Sequence, residues 1–310
     1  MSQVKLLGDP HLGRRFRTGV PLHRLGERET MVGEQFLAEL RVPPGTELHV
    51  NMGDLFDKFI VPVEIVIWAA DRYIEAAAAA PNTTFVVLRG NHDVSRDTER
   101  KSSFDLFTRL VANVPNIKVV GDTPLRIGTR GFVGYHPFTP TIELVAGLGA
   151  GLEEVYGHWD VVDFGGDNVI PTSTMRDQGI QRAITGHDHV ARTFNQHGVH
   201  VTVTGSMQPY THAEDPEGWL YRTLSLAELK ELSAEELEHL NVRLKLTEHE
   251  SIPDDLNCLS ITAVRIQSEV EEVVTSEQLE GLDLFSMAGK VLEGLSIRDA
   301  LLIRLKEQVD

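Results

Sequence analysis

Four polar clusters, each built from aspartate, asparagine or histidine, follow directly on short apolar runs, and this arrangement limits what the chain can fold into. Residues 4–7 lead into Asp9-Pro10-His11 and residues 47–51 into Met52-Gly53-Asp54. Residues 84–88 lead into Gly90-Asn91-His92-Asp93, and residues 182–185 into Gly186-His187-Asp188-His189. Short apolar runs bounded by glycine and polar residues predict buried strands. In open α/β sheets, functional groups gather just beyond the carboxyl ends of the strands. Four such ends therefore predict one composite site. Further strands are expected at 131–135, 159–164, 193–204 and 218–226, and helical patterns lie around 30–40, 62–80, 101–112 and 173–180. The alternation predicts an α/β chain with at least one sheet packed between helices.

The 310 residues, 41% of them hydrophobic, suffice for one large core and a smaller second unit. The character of the sequence changes after about residue 226, so residues 1–226 and 227–310 are expected to form separate units. In the rear, Ser233 and Glu236 can form a capping box, strands are expected at 242–246 and 259–266, and amphipathic helical sequence runs over 284–309. The amino terminus lacks a cationic segment followed by a long apolar run, and the most apolar stretch, residues 59–70, carries Glu64 and is too short to span a bilayer. The single cysteine, Cys258, has no internal partner and fits a reducing compartment. A cytoplasmic protein with no membrane partner is expected.

The formal charge of −17 weighs against a polyanionic partner, but it is unevenly spread. Residues 1–222 hold 27 acidic and 21 basic side chains, and the remainder holds 19 and 8. Several of the front acids are candidate metal ligands. Two divalent cations would bring that part close to neutrality, so charge does not exclude nucleic acid.

Each cluster has a physical logic. Asp9 and His11, two residues apart on an extended segment, project to one side, as do His187 and His189. Gly53 and Gly90 permit sharp turns at strand ends. One Asp-x-His triplet is commonly a surface accident. Four clusters in this order, each after a buried strand, point to a metal centre.

The blocks DPH, MGDLFD, RGNHD and GHDH resemble the signature of the calcineurin-like metallophosphoesterases over roughly residues 4–226. The resemblance implies a β-sandwich flanked by helices (αββα), with a small carboxyl-terminal α+β unit behind it. It implies two divalent metal ions: one held by Asp9, His11, Asp54 and His189, the other by Asp54, Asn91, His187 and one more histidine, with Asp54 shared. That last ligand is expected to be His158, in a Gly-His step 29 residues before His187, with His136 in GYHPF as its rival. Mixed nitrogen and oxygen ligands suit Mn²⁺ first, with Fe or Zn²⁺ as alternatives. By the same resemblance His92 assists the leaving group and Asp57 orients it.

The sequence GDLFDKF lacks the arginine found in the GDxxDRG block of protein phosphatases and is similar to the form in SbcD-type DNA repair and recombination nucleases, as is DPHLGRRFRTG. Arg14, Arg15 and Arg17 there can reach backbone phosphates. This implies DNA as substrate and an SbcC-like coiled-coil ATPase subunit as partner, docked on the final helices, with a homodimer as a further expected assembly. A phosphatase or cyclic-nucleotide phosphodiesterase is the alternative. A module that has lost its chemistry is disfavoured, because the whole ligand set is present.

Overall fold

The computed structural model describes residues 3–97, 99–162, 165–253 and 256–266. The helical sequence expected over 284–309 lies outside them. One compact unit comprises Met1–Leu246 and Ser251–Val264; Thr247–Glu250 and Arg265–Asp310 fall in a second.

Within the first unit, β1 (Gln3–Leu7), β2 (Thr46–Asn51), β3 (Thr84–Leu88) and β4 (Ile117–Val120) form a four-stranded sheet in that order, all parallel. Its connections are α1 (Glu27–Leu40), α2 (Val63–Ala79) and α3 (Ser103–Val111). These helices form where the apolar spacing demands them. Val32, Phe36 and Leu40 are buried along α1, and Val66, Ala69, Ala70, Tyr73 and Ala77 along α2. At the start of α3 the Ser102 hydroxyl accepts from the Asp105 backbone N–H, and the Asp105 carboxylate accepts from that of Ser102. Such a cap stabilises a helix by about 1 kcal/mol.

A second, six-stranded sheet contains β5 (Leu125–Ile127), β6 (Arg130–Val133), β7 (Glu154–Gly157), β8 (Arg182–Thr185), β9 (Arg192–Gln196) and β10 (Val199–Val203). Its order is β5-β6-β7-β8-β10-β9, with β6, β7, β8 and β10 parallel and the two edge strands antiparallel. Helices α4 (Thr141–Ala146) and α5 (Thr172–Asp177) cover its outer face.

The two sheets lie face to face, as the alternation of side chains along their strands shows. On β3, Phe85 and Val87 pack among the helices of the first sheet, while Val86 and Leu88 enter a core shared with Phe132, Tyr156 and Ile184 of the second. On β7, Tyr156 enters that shared core and Val155 packs toward α4 and α5. The architecture is the expected helix–sheet–sheet–helix sandwich.

Two expected strands are corrected. Over residues 159–162, the described part of the strand expected at 159–164, no strand forms: the Trp159 N–H donates to the side-chain hydroxyl of Thr185 on β8 (2.9 Å), not to a main-chain carbonyl, and the strand of this region is β7, just before it. The expected strand at 193–204 is a hairpin, folded at His197 (φ 53°) and Gly198 (φ 86°), whose left-handed conformations suit a tight turn.

A third sheet, β11 (Tyr221–Ser225), β12 (Asn241–Leu246) and β13 (Ser260–Arg265), carries α6 (Leu226–Glu231) and α7 (Ala234–Glu238), each opened by a capping box. β11 lies before residue 226 and pairs with β12 beyond it, so this sheet draws on both sides of the boundary expected from the sequence. Among the described residues no helix is long and apolar enough to cross a membrane.

Candidate metal centre

The carboxyl ends of β1, β2 and β3 in one sheet, and of β7 and β8 in the other, open toward the same place. Three residues there turn sharply into the left-handed region, His11 (φ 46°), Asp54 (φ 48°) and His187 (φ 76°), which swings each side chain away from its strand direction. Two glycines let the turns approach each other. A Cβ on Gly90 would lie 2.0 Å from Asp54 Oδ1, and one on Gly186 would lie 2.5 Å from Asp9 Oδ1. Backbone bonds lock the loops together: the His11 N–H donates to the Asp54 carbonyl (3.0 Å), and His187 N–H donates to Asp9 Oδ2 (2.9 Å). The buried Asp93 carboxylate accepts from the N–H groups of Gly90, Leu55 and Phe56, tying the second block to the third.

The side chains form three overlapping groups: Asp9, His11 and His189; His11, Asp54 and His92; Asp54, His158 and His187. The ring tautomers follow from their outer partners. His158 Nδ1 lies 2.9 Å from the Met52 carbonyl, to which it must donate, so Nε2 carries a lone pair. That lone pair faces Asn91 Oδ1 at 3.0 Å and Asp54 Oδ2 at 3.4 Å. His187 Nε2 sits 2.7 Å from Asp160 Oδ1, and its Nδ1 faces the same Asn91 oxygen at 3.0 Å. Four acceptors thus point at one spot. In the other half, His189 Nδ1 lies 3.2 Å from Glu214 Oε1, and its Nε2 lies 3.0 Å from His11 Nε2, with Asp9 Oδ2 at 3.7 Å. Asp54 Oδ2 is 3.8 Å from His11 Nε2 and so serves both halves. Asp9 Oδ1, fully buried, has no hydrogen-bond partner. Converging acceptors with an orphaned carboxylate oxygen require positive charge between them, and this nitrogen and oxygen set fits divalent cations.

The electrostatics carry the same demand. Burial alone would lower His158, yet Asp54 and Asp9 beside it raise its imidazole to about 10. Burial raises the Asp9 carboxyl to about 7 against the pull of His158. Burial would also raise Asp54, but His158, His11 and His92 hold its carboxyl well below the ordinary range.

His92 stands apart from the buried ligands. Its Nδ1 is held 2.6 Å from the Asp57 carbonyl, its Nε2 is 4.0 Å from Asp54 Oδ2, and 42% of its side chain is exposed. Asp57 meets His92 through its main-chain carbonyl, while its carboxylate accepts from Arg14 Nη1 at 3.0 Å. His136 lies away from the acceptors, its Nδ1 accepting from the N–H groups of Phe138 and Thr139. The structure thus brings together Asp9, His11, Asp54, Asn91, His158, His187 and His189, with His92 at the rim. It adds Asp93, Asp160, Glu214 and the Met52 carbonyl, which sequence reasoning missed. Glu214 lies 25 positions beyond His189, and a main-chain carbonyl leaves no mark in a sequence.

A two-sheet sandwich with such a centre at its strand ends belongs to a class of metal-dependent hydrolases. The family model for calcineurin-like phosphoesterases matches residues 3–191, and the chain belongs to that family, whose chemistry is metal-dependent hydrolysis of phosphoesters. Among solved structures, GAP50, the anchor in the inner membrane complex of Plasmodium, is similar at 12% identity with a TM-score of 0.40, covering 66% of this chain and 71% of its own. Phosphopantetheinyl hydrolase from Mycobacterium tuberculosis is similar at 11% identity with a TM-score of 0.37, covering 67% and 93%. A search of curated protein sequences gave no match.

Proposed function

We propose that this chain is a DNA-cleaving phosphodiesterase, an SbcD-type nuclease subunit of DNA repair or recombination. The carrying observation is the contrast between a buried ring of acceptors and a half-exposed His92 at its edge. Asp9, His11, Asp54 and His189 would hold one cation and Asp54, Asn91, His158 and His187 the other, with Mn²⁺ the preferred ion. Bound there, the cations supply charge that binds a phosphoryl group and acidifies water near neutral pH. His92, its Nδ1–H fixed on the Asp57 carbonyl, presents Nε2 outward. Protonated there, it passes that proton to the leaving oxygen. Arg14 fixes Asp57 and with it the segment that holds His92.

A diester, not a monoester, is favoured because Lys58 stands where protein phosphatases carry an arginine in this block. The proposed partner is an SbcC-like coiled-coil ATPase that docks on residues 284–309 and raises the local concentration of DNA. The test uses the full chain with linear duplex DNA, hairpin DNA and bis(p-nitrophenyl) phosphate, each with Mn²⁺ and with EDTA. Mn²⁺-dependent cleavage of all three is expected. Hydrolysis of phosphomonoesters alone would overturn the reading.

A further inference from the structure

We propose that a groove beside the metal centre holds additional phosphates of the substrate strand through Arg15, Arg17 and Arg243, so that the enzyme selects a polynucleotide over an isolated diester. The inference rests on the nuclease reading and specifies how the strand is gripped. The groove lies between the segment that follows Asp9-Pro10-His11 and the face of the third sheet that carries Arg243. The whole chain has 46 acidic and 29 basic residues, yet this lining gathers four arginines and a histidine and no carboxylate.

Arg14 is already engaged, bonded to Asp57 and lying 5.2 Å from the Tyr210 ring centre. The other three are exposed, and their guanidinium groups have no hydrogen-bond or ion-pair partner among the described residues. Burial, and after it the charge of Arg243, push the His212 imidazole down to about 4 against the pull of Asp215. Three unpaired guanidinium groups on one groove repel each other, and a chain of phosphates relieves that repulsion while using their forked donors. The groove shares a wall with the metal centre. Tyr210 lines it, and the same ring lies 5.3 Å from that of His11 and 6.1 Å from that of His189. A strand with one phosphate at the metal centre can continue past Tyr210 and meet the arginines with the next phosphates. A small diester has no such phosphate to offer.

The test compares the full-length protein with a triple alanine variant (Arg15→Ala, Arg17→Ala, Arg243→Ala) and the matching triple lysine variant. Steady-state kcat/KM is measured with Mn²⁺ for a labelled oligothymidylate and for bis(p-nitrophenyl) phosphate, across 50 to 200 mM salt. In the alanine variant, the loss on the oligonucleotide should exceed any loss on the small diester by about tenfold or more. The salt dependence should flatten by about two in log–log slope, close to 0.7 for each phosphate of a single strand that is no longer neutralised. The lysine variant should keep the steep slope. Equal losses on both substrates, or an unchanged slope, would overturn the groove while leaving the nuclease reading intact. A wild-type protein that hydrolyses the small diester but not the oligonucleotide would overturn both.

Discussion

His92 is the residue whose position separates holding the cations from moving a proton. Its ring is 42% exposed, and its Nδ1 is held 2.6 Å from the Asp57 carbonyl. His92→Ala should therefore keep near-normal metal content, measured by elemental analysis, while kcat on DNA falls by about 10² or more. On a p-nitrophenyl ester, whose leaving group needs little protonation, the fall should be much smaller. Loss of metal, or equal loss on both substrates, would assign the ring to a ligand or structural role. At this scale the sequence was readable where chemistry comes as adjacent residues. Asp9 and His11, or His187 and His189, stand two apart after a glycine-bounded strand, and the pattern is local. Glu214 and Asp160 were hidden because each meets its histidine only through the fold. Asp57 was only half legible for a related reason: the sequence puts it in the right loop but does not say whether its side chain or its carbonyl faces the ring.

Among the elements, β2 carries a stability switch unconnected with catalysis. His49 is fully buried; its Nε2–H donates to the Glu39 carbonyl at 3.1 Å, and its ring lies 5.2 Å from that of Phe85. Burial lowers its imidazole from 6.5 to about 4. The unfolded chain therefore takes up this proton first as the pH falls. The stability contributed by the neutral buried ring is complete above pH 6.5 and is lost between 6.5 and about 4, amounting to roughly 2 kcal/mol by pH 5. In His49→Phe the Glu39 carbonyl keeps its bond from Lys5 Nζ (2.6 Å), so the folded state is not left with an unpaired group. Urea unfolding at pH 7.5 and pH 5 should show the wild type losing about 2 kcal/mol more than the variant. Equal losses would mean that the ring protonates as readily folded as unfolded. The same elements show what periodicity can reveal. The helices of the first sheet and strands β1 to β3 were legible from their apolar runs. β4, β5 and β7 have only three or four residues each, with Lys118 and Arg126 inside the first two and Glu154 opening the third, so they leave little apolar signal. The run from Trp159 to Phe164 reads as a strand because four of its six residues are apolar, but Val162 there is 51% exposed.

In the molecule as a whole, the metal centre joins the two halves of the sandwich. Asp9, Asp54 and Asn91 come from the first sheet, and His158, His187 and His189 from the second. Cations held between them would act as bonds across the sandwich, so that ligand binding and folding would share one free energy. Each site at a hundredfold excess over its Kd adds about 2.7 kcal/mol. Mn²⁺ should raise the melting temperature over that in EDTA by several degrees, and Asp54→Asn, which removes the shared ligand, should abolish most of that gain. Identical melting curves with Mn²⁺ and EDTA would mean that the ions do not bridge the sheets. Such a joint makes the two ends of the sandwich unequal in their tolerance of change. At the centre, a slip of one residue between the sheets moves a ligand by about 3.3 Å, farther than coordination can stretch. At the opposite mouth, Val4, Leu6, Arg130, Arg182 and Thr202 line an open cleft between the same two sheets. Added loops and grafted segments should thus be tolerated at one pole of the fold, while the other must stay in register.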